Sequence, residues 1–151
     1  MRKHDGKRAA IMYALSAAAW LGVLFWFSGQ SGADSGALSG SITRMLFGWL
    51  LKYVSFDVLH IFVRKMAHFT AFAVEGWLLS SALLRIMPKK RAGLITGLTC
   101  AGVAVLNELH QTLSVGRSCE VRDMLIDTAG ALLGFAFAVA ILHAFSKLRK
   151  K

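Results

Sequence analysis

The apolar positions of this chain gather into four long runs, roughly Ala9 to Phe27, Met66 to Met87, Ala92 to Leu109 and Met124 to Phe145. Each approaches the ~20 residues that a helix needs to cross hydrocarbon. No run alternates with the two-residue period of a barrel strand, and a spanning segment must satisfy its own backbone hydrogen bonds, so helices are expected. The first run follows a basic start, but it is too long for a signal-peptide core and no small-x-small cleavage site follows it. After it, Ser28 to Gly36 is rich in Ser and Gly and reads as a flexible polar loop. Ile42 to Val63 then mixes apolar and polar residues at helical spacing, with Trp49 and Tyr53 among Leu46, Phe47, Leu50 and Leu51. That stretch is too polar to span and fits an amphipathic helix lying at the membrane interface. The expected fold is a single all-α membrane domain over residues 1–151, with four transmembrane helices and an interfacial helix between the first and second.

Composition supports the membrane assignment. The chain is 56% hydrophobic and only 17% charged, with one proline. A soluble domain of this size cannot hide so much apolar surface. The net charge of +10 would fit nucleic acid, but its distribution argues otherwise. Lys and Arg concentrate in the N-terminal tail, around Pro88 (Arg85, Lys89, Lys90, Arg91) and in the C-terminal tail (Lys147, Arg149, Lys150, Lys151). With four spans those three places share one side, which the positive-inside rule makes cytoplasmic. No nucleic acid is expected as a partner; membrane lipid is. Cys100 falls mid-run and Cys119 in a polar segment, at depths too different for a disulfide.

The topology collects scattered polar residues at the opposite, outer end. Ser28 and Gln30 close the first helix. Arg64 and His68, at i and i+4, share a face where the second begins, beside Lys65. Glu108 and Gln111 share a face at the end of the third, and Asp123 and Asp127 at the start of the fourth. Gly130 and Gly134 continue the Asp127 stripe, which favours close helix packing and keeps Asp127 away from lipid. Arg117, Glu120 and Arg122 read as solvated loop charges, and His110 as an interfacial residue pointing away from Glu108. Glu75, near mid-bilayer, is the most unusual ionisable residue.

The segments VRKMAHFTAF (63–72), FSGQS (27–31) and Glu108 to Gly134 resemble the VanZ-like family. These are small bacterial membrane proteins named after an accessory factor in glycopeptide resistance and associated with reduced susceptibility to teicoplanin. The resemblance implies the bacterial cytoplasmic membrane, and motif residues Ser28, Gln30, Arg64, Lys65, His68, Glu108, Gln111, Arg117, Asp123 and Asp127 as a binding set. The chain departs from the family pattern at Ala71 and Phe72, where an acid and a tyrosine are common. It departs again at Glu75, usually aliphatic, and at Ser114-Val115, where a proline often precedes the glycine.

Three functions fit. In the first, the outer cluster binds a cell-wall precursor or a lipoglycopeptide, with Arg64 and Arg117 recognising carboxylate or phosphate. In the second, the protein is a membrane hydrolase or transferase acting on a lipid-linked substrate, with Glu108 or Asp127 as general base and His68 as acid or ligand. In the third, the charges lock the bundle as buried ion pairs. No cofactor is expected from any short motif, although His68, Glu108, Asp123 and Asp127 together resemble a carboxylate-rich divalent-metal set.

Overall fold

Small residues decide how these helices meet. The structure, a computed structural model, describes residues 3–148, and its regular elements are helical: α1 (Lys3–Ser28), α2 (Gly32–Phe47), a 3₁₀ turn (Gly48–Leu50), α3 (Phe56–Leu83), α4 (Lys89–Gln111) and α5 (Val121–Leu148). The long helices run alternately up and down. Trp20 donates its indole N–H to the Ala71 carbonyl at 2.9 Å while Tyr13 meets Trp77, so α1 and α3 are antiparallel. Ser80 bonds Thr96 at 3.1 Å across the α3–α4 pair. On α5, Gly130 lies against the Phe69 backbone and Gly134 against that of Ala73, so α3 and α5 run parallel in near-backbone contact. This is the close approach that small residues permit between helices in lipid.

Burial is inverted relative to a soluble protein. Glu75, Glu108, Asp127, Thr43, Thr96 and Cys100 are all buried, whereas Met12, Leu15, Trp26, Leu98, Leu125 and Phe137 are exposed. An apolar exterior around a core of small and polar side chains is what lipid as solvent selects. Helices α1, α4 and α5 are long and apolar enough to cross a membrane, which makes this a multi-pass membrane protein.

Two expectations need correction. Among the described residues three helices, not four, qualify as spans by length and composition. The exception is α3, which carries Arg64, Lys65, His68 and Glu75. It packs against α1, α2, α4 and α5, so protein rather than lipid surrounds its polar residues. Nor is there a polar loop followed by one interfacial helix over residues 42–63. A helix starts at Gly32, capped by the Ser31 side chain, which accepts the Asp34 N–H at 3.1 Å. It ends at Phe47, and α3 starts afresh at Phe56. The buried face of α2 consists of Ser39, Gly40 and Thr43, small residues that let it lie on α3; Ser39 Oγ and His60 Nε2 tie the two at 2.6 Å.

The two cysteines are free thiols, Cys100 buried and Cys119 exposed.

Candidate functional site

The up-and-down order puts the end of α1, the N-terminal part of α3, the end of α4 and the start of α5 at one end of the bundle. The sequence-derived polar set is gathered there in two adjoining parts. The first is a cavity of about 310 Å³ between α1, α2 and α3. Its walls are mostly apolar, with Trp20, Leu24, Leu38, Ile42, Val63 and Phe72 among them. Ser28, Gln30, Arg64, His68 and Arg117 line the same space. Burial, and then the neighbouring Arg64 charge, holds the Arg117 guanidinium below its ordinary pKa.

The second part is a hydrogen-bonded relay behind that cavity. Arg117 Nε donates to Gln111 Oε1 at 3.1 Å, and a second guanidinium nitrogen reaches the same oxygen. Gln111 Nε2 donates to Glu108 Oε1 at 3.1 Å, and the other Glu108 oxygen accepts the Glu120 backbone N–H at 2.8 Å. Glu108 and Gln111 are both buried. The relay therefore fastens the 112–120 loop to α4 and sets the start of α5. The same loop docks on the other side, where Gly32 N–H donates to the Val115 carbonyl at 2.9 Å and Ser114 Oγ to the Gly29 carbonyl at 3.0 Å. Gly116, at φ +74°, makes the turn that this docking needs.

Nearby, Lys65 pairs with Glu120 at 2.9 Å and with Asp123, joining α3 to α5. Burial pulls the Lys65 ammonium down, but the hydrogen bonds and charges of Asp123 and Glu120 outweigh it and hold its pKa above that of an ordinary lysine. A group raised in this way contributes stability that is full below its unfolded pKa and is lost as pH rises through its folded one. Thermal midpoints of the purified protein should stay level to about pH 10 and fall above it. Lys65→Met should lower the plateau and make that alkaline fall shallower; an unchanged alkaline limb would mean the pair contributes nothing.

His68 and Asp127 complete the set. His68 Nδ1 lies 3.4 Å from Asp127 Oδ1, Asp127 is fully buried, and Glu108 stands beside both. Arg117, expected as a solvated charge, is instead half-buried and holds this end together, whereas Glu120 is exposed as expected while its side chain pairs with Lys65. Arg122 is exposed, as expected. His110 does not simply sit at the interface: its Nδ1 is 2.8 Å from Ser28 Oγ and its ring packs edge-on against Phe25. Two contributors escaped the sequence reading. Asn107 is buried, lines the cavity and has an unpartnered Oδ1; as a polar residue inside an apolar run next to Glu108, it carried a readable signal. Trp20 offered no such signal, because only the fold places its indole against α3. Glu75 is buried on α3 with Oε2 unpartnered, apart from this end.

Neither curated proteins nor solved structures yield a match to this chain. The VanZ/LLP1 family profile does, over residues 13–143, which takes in every part of the site just described. The chain belongs to the VanZ/LLP1 family.

Proposed function

We propose that this VanZ-like protein works in the bacterial cytoplasmic membrane, where the cavity binds an anionic lipid-linked molecule at the outer leaflet. The ligand is a cell-wall precursor or a lipoglycopeptide, and its capture lowers susceptibility to drugs such as teicoplanin. One observation carries this reading: two guanidinium groups, Arg64 and Arg117, stand at a mostly apolar cavity between helices. Like charges held together in a partly dry site are unfavourable until an anion joins them, and guanidinium binds phosphate or carboxylate in a forked, two-bond manner. The apolar walls supply what a lipid tail or an acyl chain requires, and the volume falls in the range of ligand pockets, roughly 300–1,000 Å³. Basic residues clustered at the opposite end of the bundle support cytoplasmic tails and an outward-facing cavity.

Saturable binding of labelled teicoplanin, or of a lipid-linked precursor, to protein in nanodiscs tests this. Arg64→Ala and Arg117→Ala should each weaken binding by about 10- to 100-fold, the worth of a charged hydrogen bond. Ala71→Leu, which fills the cavity and leaves both arginines in place, should weaken it too. In a deletion strain, wild type should raise the teicoplanin concentration tolerated, whereas Arg117→Ala at equal membrane level should not. Absence of saturable binding for both ligands would overturn the proposal.

A further inference from the structure

Asp127 is fully buried, and neither of its carboxylate oxygens has a hydrogen-bond partner. A buried carboxylate without partners is among the costliest arrangements a protein can hold. His68 Nδ1 lies 3.4 Å from Asp127 Oδ1, an ion pair only when the imidazole is protonated. Glu108, also fully buried, stands within reach, and one donor atom from each of the three residues lies within 4.8 Å of the others. Three helices, α3, α4 and α5, thus converge one nitrogen and two carboxylates on one point.

We propose that His68, Glu108 and Asp127 hold a divalent cation of the zinc or manganese class. Two ligands about 2.1 Å from one tetrahedral ion stand about 3.4 Å apart, which is the His68–Asp127 separation. Two carboxylates balance a dication, so the buried cluster carries no net charge once the ion is in place. An imidazole among the donors favours a transition ion over calcium or magnesium. Glu108 keeps free lone pairs, because each of its oxygens accepts only one hydrogen bond. Those bonds, from Gln111 and the Glu120 N–H, are of the kind that orient a ligating carboxylate. His68 also lines the cavity, so a coordination position not taken by protein faces that space. The inference goes beyond the cavity's role and does not depend on what fills the cavity.

Protein purified in detergent, stripped with chelator and dialysed against Zn²⁺ or Mn²⁺, would be assayed for bound metal by mass spectrometry and for thermal midpoint. Wild type should retain about one ion per chain, and at a hundredfold excess over Kd its midpoint should rise by about 5–10 °C. Asp127→Asn and His68→Gln should lose both the ion and the rise, while His143→Ala, on an exposed histidine outside the cluster, should keep them. If Asp127→Asn fails to fold, His68→Gln still decides. Two results would overturn the proposal. One is a wild type that holds neither ion, whatever Asp127→Asn does to stability. The other is metal retained in both variants. Neither depends on teicoplanin or precursor binding, so failure here leaves the cavity proposal standing.

Discussion

Gly130→Ala should destabilise this protein by about 3 kcal/mol, at the upper end of ordinary overpacking, although it adds one methyl group. A Cβ at position 130 would be driven into the Phe69 carbonyl, and the obstacle is backbone, which no side-chain rotation relieves. Gly134 and Gly76 face the same difficulty against Ala73 and Ala131. The helices can accommodate the methyl only by separating, which forfeits dispersion contacts along the whole α3–α5 seam. A matched control carries the opposite sign. Gly102, in the middle of α4, has nothing within 4 Å of its would-be Cβ. There Ala should be neutral or stabilising by up to about 1 kcal/mol, because glycine in a helix interior costs about that much relative to alanine. Thermal midpoints by circular dichroism in one detergent would compare the two. Similar shifts for Gly130→Ala and Gly102→Ala would mean that the seam is softer than its geometry indicates. The functional consequence follows from the fold, because Asp127 lies one turn before Gly130. Separating α3 from α5 widens the His68–Asp127 spacing and stretches the Lys65–Asp123 pair.

The same seam explains what could be read in advance. Asp127, Gly130 and Gly134 share a helical stripe, and the sequence reading correctly placed that stripe inside the bundle. The meeting of Ser28, Arg64, Glu108 and Asp123 at one end was legible too, since helix order alone puts those termini together. Two elements differ from what their sequence suggests, each for its own physical reason. In water, a Ser- and Gly-rich segment cannot bury enough apolar area and stays a loop. In a membrane bundle small polar residues are the preferred contact surface, so residues 32–47 fold as α2 through Ser39, Gly40 and Thr43. Ser31 and Asp34 had the spacing of a helix-start signal that the loop reading passed over. By length alone, helix α3 reads as an ordinary span. Its charges instead mark it as the helix enclosed by the others. The cavity had no local signature, since its walls come mainly from α1, α2 and α3, with Asn107 and Arg117 added, and no local pattern encodes their spacing.

The relay behind the cavity yields the second large effect, because its direction is fixed. Arginine can only donate and an ionised carboxylate can only accept, so Gln111 must turn its oxygen to Arg117 and its amide to Glu108. Glu108→Gln introduces a second amide into that chain. Its NH₂ must face either the Gln111 NH₂ or the Glu120 N–H, and either choice leaves a buried donor unpaired. The expected cost is about 2 kcal/mol, despite nearly identical shape. Exchanging both residues repairs the logic: in Glu108→Gln with Gln111→Glu, the new carboxylate accepts from Arg117 and from the residue-108 amide. The residue-108 oxygen then accepts the Glu120 N–H. The double variant should recover most of the stability lost by the single one, a coupling of at least ~1 kcal/mol in a double-mutant cycle. It would not restore a carboxylate at position 108, so by the cation proposal it should fold like wild type while failing to hold an ion. Recovery of stability together with metal retention would show that Glu108 serves the fold alone, and additive losses would show that the relay is not the unit that holds the 112–120 loop. The exchange thereby separates, at one residue, the part of this site that maintains the bundle from the part available for chemistry.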